Sequence, residues 1–207
     1  MGNVILDLNG VETLDVAALG GADAVTVSDL SGTDVKRVNV DLAAAGGTPD
    51  GAADAVSVNG TDQNDVIKLT TDGTAVVVSR LHARVGIDHG ETIDTINVQG
   101  GAGDDRIDAS GVIAAGPTLV LDGGAGNDVL IGGAGTNIFV NGETVIGFDV
   151  TQDQLDLRAV AGGQTADWVL THAHDDHGNV VFNFDTTQIT LVGVSVAQLQ
   201  ASDFILS

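Results

Sequence analysis

The feature that most limits what this chain can become is a glycine-rich nonapeptide. It stands as GGAGDDRID at 100–108, GGAGNDVLI at 123–131 and GGAGTNIFV at 132–140. The first two fit G-G-x-G-x-D-x-U-x, with U a large aliphatic; the third has Asn137 for the aspartate and Phe139 for U. Glycine reaches positive φ without a steric penalty, so such a stretch curls into a tight turn with its carbonyls gathered together. The aspartate adds a carboxylate at the turn's exit, and the aliphatic two residues later plugs into a core. A flexible glycine linker explains neither feature.

The turns keep time with short strands. DAVTV from Asp23, DAVSV from Asp54, DVIKL from Asp65, DTINV from Asp94 and DRIDA from Asp105 share one pattern: Asp, any residue, aliphatic, polar, then aliphatic or Ala. This alternation is that of a strand with one face inward. Asp54 and Asp65 lie 11 residues apart, as do Asp94 and Asp105, with Val85, Ile96 and Ile107 on the same beat. Strand and turn at this spacing predict a two-strand coil of about 22 residues. The expected fold class is all-β: a right-handed parallel β-roll or β-helix solenoid, followed by a small C-terminal β-rich cap. An antiparallel sandwich also shows evenly spaced strands, but sandwich cores use large rings. All six aromatic residues here (Phe139, Phe148, Trp168, Phe182, Phe184 and Phe204) lie after residue 138. That shift places a boundary near 141, with 1–141 as the solenoid and 142–207 as the capping region.

Charge narrows the function. The 207 residues carry a net charge of −22, which repels nucleic acid and draws cations. Of the 29 acidic residues only Glu12, Glu91 and Glu143 are Glu. Aspartate suits turns and hard-cation sites, where a short carboxylate reaches an ion beside the backbone. There is no cysteine, hence no disulfide, thiolate site or thiol nucleophile. No apolar run is long enough to span a membrane, and the opening MGNVILDLNG lacks the basic and apolar regions of an export signal peptide.

Carbonyl and carboxylate oxygens without nitrogen or sulfur suit Ca²⁺ better than Zn²⁺. One turn offers too few oxygens, so an ion is expected between stacked turns. Gly100 and Gly123 are 23 residues apart, close to one coil. The expected ligands are Asp105 and Asp128, with backbone oxygens of Gly100, Gly101, Ala102, Gly103, Gly123, Gly124, Ala125 and Gly126. For Asp23, Asp34, Asp54, Asp65 and Asp94 the reading favours turn capping over calcium.

These nonapeptides resemble the calcium-binding β-roll of the repeats-in-toxin (RTX) family, also called hemolysin-type repeats. NGTDQNDVIKL and LGGADAVTV resemble worn copies of the same repeat. VIGFDVTQDQLDLRAV (145–160) and LVGVSVAQLQASDFILS (191–207) are similar to the C-terminal region by which RTX proteins leave Gram-negative cells through type I secretion. The resemblance implies a non-enzymatic, metal-binding module of a larger secreted protein, extracellular or on the cell surface. Its expected partners are the type I secretion machinery and upstream domains, with a cell-surface or glycan ligand as an adhesin-like alternative.

One motif points elsewhere. His172-Ala173-His174-Asp175-Asp176-His177 fits the H-x-H-x-D-H pattern of the metallo-β-lactamase superfamily. Such a site needs further ligands much later in the chain, and no histidine follows His177. The stretch reads better as two strands, DWVLTHAH and NVVFNFD, joined by a turn at DDHGN. Weak Zn²⁺ or Ni²⁺ binding by His172, His174 and His177 is the alternative there. Asp104-Asp105 and Asp175-Asp176 are no catalytic pairs, because strand neighbours face opposite ways. Lys36-Arg37 reads as a solvated patch and Trp168 as core. A polysaccharide lyase or epimerase-like enzyme remains a rival, with Arg80, Arg84 or Arg106 as its basic residue.

Overall fold

The computed structural model describes residues 10–207, so the opening segment read for an export signal lies, apart from Gly10, outside the described residues. In chain order the elements are β1 (Thr13–Leu19), β2 (Ala24–Val27), β3 (Arg37–Ala44), β4 (Ala55–Asn59), β5 (Val66–Asp72), β6 (Ala75–Ser79), β7 (Arg84–Asp88), β8 (Thr95–Ala102), β9 (Arg106–Gly111), β10 (Thr118–Ala125), β11 (Val129–Ile131), β12 (Asn137–Val140), β13 (Thr144–Ile146) and β14 (Gln154–Asp156). Then come α1 (Arg158–Ala161), α2 (Ala166–Thr171), β15 (Ala173–Asp176), β16 (Asn179–Asn183), β17 (Gln188–Val192) and β18 (Phe204–Ile205).

Two sheets take up the strands. Sheet A has the order β1-β3-β7-β6-β5-β9-β11-β13-β17-β16-β15, and sheet B the order β2-β4-β8-β10-β12-β14-β18. The chain passes from one sheet to the other and back, and through most of its length lays new strands parallel to ones placed earlier. The fold is therefore an all-β parallel solenoid, as the alternating pattern requires. Both sheets run on across residue 141, β11 pairing with β13 and β12 with β14.

The core consists of ladders of identical geometry. In sheet B, Val27, Val58, Val98, Leu121, Phe139, Leu155 and Phe204 stand in register, all buried. In sheet A, Ile67, Ile107, Leu130, Val145 and Leu191 do the same. β-branched and aliphatic side chains fill the space between the sheets, and rings enter only from Phe139 onward. Phe139 meets Phe148 at 5.9 Å, while Phe182 packs against Phe184 and Phe204 at 6.0 and 5.9 Å.

Two expectations need correction. The coils are not uniform: in-register polar pairs along the edges are separated by 31, 40, 23 and 16 residues. The 40-residue coil contains β6, which runs antiparallel to both β5 and β7. Gly73, at φ +65°, turns the chain between Asp72 and Ala75. This two-residue loop, Gly73-Thr74 with glycine in its first position, outweighs the parallel beat. The second correction concerns DWVLTHAH. Residues 166–171 form α2, with Thr165 Oγ1 accepting the Trp168 N–H as N-cap. Ala166, Val169 and Leu170 fall on one helical face and pack on the core, a period of 3.6 that overrides the alternation. Only 173–176 is strand, and the turn to β16 is at His177 and Gly178, both at positive φ.

A thin core has little capacity to relax around a void. Ile107→Ala should lower the unfolding free energy by about 2–5 kcal/mol. Val66→Ala, on the exposed outer face of β5, should change it by less than about 0.5 kcal/mol. Urea unfolding followed by circular dichroism distinguishes the two.

Candidate functional site

The turns that lead from sheet B to sheet A form one long edge of the solenoid. The two clean glycine turns are neighbours there: Gly101 aligns with Gly124 and Ala102 with Ala125. The Asp65 N–H donates to Asp105 Oδ1 at 2.7 Å, Asp105 N–H to Asp128 Oδ1 at 2.8 Å, and Asp128 N–H to Glu143 Oε2 at 2.8 Å. Each acid thus caps the backbone of the coil before it, and four acids stand in one file.

The other carboxylate oxygens decide what the file can do. Asp105 and Asp128 are 2% and 1% exposed, and the Oδ2 of each is buried without a hydrogen-bond partner. A buried carboxylate oxygen left unpaired is costly, and native structures contain few of them. Beside each one lies a backbone carbonyl. A Cβ on Gly100 would strike Asp105 Oδ2 and the Gly123 oxygen; one on Gly123 would strike Asp128 Oδ2 and the Asn141 oxygen. The glycines are needed because two oxygens converge on the space a side chain would take. Gly124 and Gly126, at φ +95° and +150°, run close under the Gly101 and Gly103 carbonyls. Ala125 oxygen accepts the Gly103 N–H at 2.9 Å. The donor set is all oxygen, which fits a hard divalent cation such as Ca²⁺.

Electrostatics point the same way. Burial pushes the Asp128 carboxyl up to about 6, and the charges of Asp105, Glu143 and Asp104 add to it. Asp105 is raised as well, by burial first and then by Asp65 and Asp104.

Two related turns show how the same geometry is satisfied internally. In the worn turn at 59–65, Asp65 Oδ2 accepts both the N–H and the hydroxyl of Thr61, at 2.7 and 2.9 Å. The third nonapeptide lies on the opposite edge, between β11 and β12. There the fully buried Asn137 donates its amide N–H₂ to the Gly133 and Gly135 oxygens, at 3.2 and 3.0 Å, and to Asp153 Oδ1 at 2.9 Å. Two turn carbonyls and a carboxylate gather around the amide much as they would around an ion. On this edge Asp94 is satisfied through both oxygens, by the Asp54 and Glu91 N–H groups. Asp34 accepts from Gly10 N–H. Asp54 differs: one oxygen caps Asp23 N–H, while Oδ2 is buried and unpartnered, as is Asp23 Oδ2. Burial, then the charges of Asp50, Asp94 and Asp23, raise the Asp54 carboxyl. Asp54 belongs with Asp105 and Asp128 in this respect, and no glycine signature announces it.

The three histidines do not converge. His172 Nδ1 contacts the Trp168 carbonyl at 2.9 Å and its ring lies 3.9 Å from the Trp168 ring; His174 faces Asn183, and His177 pairs with Asp176. Among the described residues no three His, Asp or Glu side chains form a metal cluster by themselves. A site here must take its remaining ligands from the backbone. No helix is long and apolar enough to cross a membrane among the described residues.

No family model matches the chain, and no curated protein matches it. Among solved structures it is similar to the extracellular lipase LipA from Serratia marcescens, at 14% identity and a TM-score of 0.34, over 94% of this chain and 38% of that one. The chain thus spans well under half of that lipase's length.

Two tests follow from these turns. Asn137→Asp removes three donated hydrogen bonds and adds a charge beside Asp153, so it should destabilise the chelated protein by about 1–3 kcal/mol. Added calcium should reverse that loss, and titration calorimetry should count one more ion than in the parent chain. The second test is acidification of metal-free protein. The folded-state carboxyls of Asp54, Asp105 and Asp128 lie above their ordinary value of 3.8, so protons favour the folded state. Their contribution is complete below 3.8 and lost as pH rises through the folded-state values, about 6 for Asp128. Asp41, Asp108, Asp149 and Asp156 are held low, and their opposite contribution fades only below 3.8. The β signal in chelator, followed by circular dichroism, should therefore rise from pH 7 to pH 5 and fall again below pH 4, and Asp128→Asn should flatten the rise.

Proposed function

We propose that the chain is the calcium-binding RTX part of a larger secreted bacterial protein, serving calcium-dependent folding, type I export and support of upstream domains. One observation carries this reading: the buried, unpartnered Oδ2 atoms of Asp105 and Asp128, each facing a carbonyl oxygen in stacked glycine turns. Calcium supplies the positive charge that this file of acids lacks. Asp105 and Asp128 hold it, with oxygens drawn from Gly100, Gly101, Ala102, Gly103, Gly123, Gly124, Ala125 and Gly126.

Folding then follows the ion. Where calcium is scarce, as in a bacterial cytosol, the stacked carboxylates repel one another and the chain stays open for transport. Outside the cell, calcium neutralises the turns and binding free energy becomes folding free energy. The final strands and turns, from VIGFDV to the closing DFILS, are the segment offered to the type I machinery. No catalytic role is assigned to the chain.

Circular dichroism and calorimetry during calcium titration of the chelator-treated chain test the proposal. The expected result is a gain of β signal at about 10⁻⁴–10⁻³ M calcium, the range of extracellular modules. The double variant Asp105→Asn, Asp128→Asn should shift the midpoint upward by at least about tenfold. A full β signal in chelator together with no calorimetric binding overturns it.

A further inference from the structure

Gly86 is out of place on the outer face of sheet A. It sits within β7, in unbroken register with Asn39 of β3 and Val77 of β6. A glycine inside a strand weakens it and marks a bulge, a bend, or the close approach of another backbone or a ligand. The register excludes a bulge, and the backbone is not in the left-handed region. A Cβ at this position would meet nothing nearer than Asn39 Oδ1 at 3.8 Å and Arg84 Nη1 at 4.0 Å. No described part of the chain needs the side chain to be missing. Its absence opens a cavity of about 450 Å³ over β1, β3, β7 and β6.

The floor of this cavity is largely apolar, with Val16, Ala17, Val40, Ala75 and Val77, and polar side chains stand around it, held in place by hydrogen bonds. Asn39 Nδ2 donates to Asp15 Oδ1 at 2.6 Å, and Thr74 Oγ1 to Asp88 Oδ1 at 2.7 Å. His89 Nδ1 lies 2.7 Å from Asp41 Oδ1. Arg84 reaches across β6 to Asp72 Oδ2 at 2.8 Å, its side chain 39% exposed. Each of these four carboxylates is held through one oxygen; among the described residues the second accepts no hydrogen bond. Gly86, Ala17 and Ala75 leave the floor low.

We infer that this groove binds a neutral saccharide. A sugar hydroxyl donates and accepts at once, so it can give a proton to a free carboxylate oxygen and take one from Arg84 or Asn39. Four carboxylates against one guanidinium disfavour an acidic ligand. A purely cationic ligand would make no use of the N–H groups that Arg84 and Asn39 have left beyond their bonds to Asp72 and Asp15. The volume falls in the range of small-molecule sites, about 300–1,000 Å³. The groove uses none of the atoms on which the calcium reading rests, so the two stand or fall separately.

The test is ¹H–¹⁵N correlation NMR of the full, calcium-loaded chain with maltose, cellobiose, lactose, digalacturonate or spermidine. At least one of the three neutral disaccharides should shift amides in β1, β3, β6 and β7, leaving those of β9–β13 unmoved. Gly86→Val should keep the spectrum of the rest of the chain and weaken that binding at least about tenfold. If that variant does not fold, Asp41→Asn with Asp88→Asn reads the same site by the same loss. Silence from all three disaccharides overturns the inference. So do shifts that survive the substitutions, or a response confined to spermidine or digalacturonate.

Discussion

Everything in this solenoid is organised around like charges that the backbone forces together. Parallel stacking repeats every turn at a fixed spacing, so an aspartate that ends one turn must sit over the aspartate that ends the next. Asp105, Asp128 and Glu143 are held in that file, beside Asp65, by the N–H bonds they accept from the backbone of the preceding coil. Those bonds use one oxygen of each carboxylate and fix its position. The second oxygen is then set by geometry rather than by choice. It meets a donor from its own turn, as at Asp65, or it stays buried against a carbonyl, as at Asp105 and Asp128. The difference between a turn whose carboxylate is satisfied internally and one whose second oxygen stays unpartnered is thus a single residue: Thr61 in one, glycine in the others.

The same economy explains Asn137. A neutral amide replaces the aspartate and its two N–H donors occupy the ring of oxygens from within. Its carbonyl oxygen also lies 3.2 Å from the Gly133 N–H, so the side chain is used from both ends. A change of this size, one atom type in one side chain, is enough to turn an unpartnered carboxylate oxygen into a hydrogen-bonded plug.

Much of this architecture is legible in the residues alone. The aspartate–aliphatic beat dictates the inward ladders, because alternation on a strand leaves no other face for Ile67, Ile96 or Ile107. The 23-residue separation of the clean repeats places Gly100 beside Gly123. Other features are hidden for physical reasons. Asp54 carries no local mark, since its exposure to a cation depends on which donors the neighbouring coils bring, not on its own sequence. Helix α2 is too short for its period to stand out from an alternating apolar pattern, and its Thr165 cap reads equally well as a turn residue. The cavity over Gly86 needs β1 and β3 to lie beside the β6–β7 pair, from which they are distant in sequence. The antiparallel β6 is legible in principle: Gly73-Thr74 between apolar runs is a hairpin signal, masked because the eleven-residue beat resumes on either side of it.

That strand has a kinetic consequence. Parallel neighbours in a solenoid can pair only after a whole intervening coil has closed, which makes them late and slow to form. β5, β6 and β7 pair with sequence neighbours through short connections, as do β15, β16 and β17 near the other end. Hairpins of this kind assemble in about 1–10 μs. The chain therefore carries two places where order can start without long loop closure, one amid the coils and one near the C-terminus, and the stacked parallel turns between them can grow from either side.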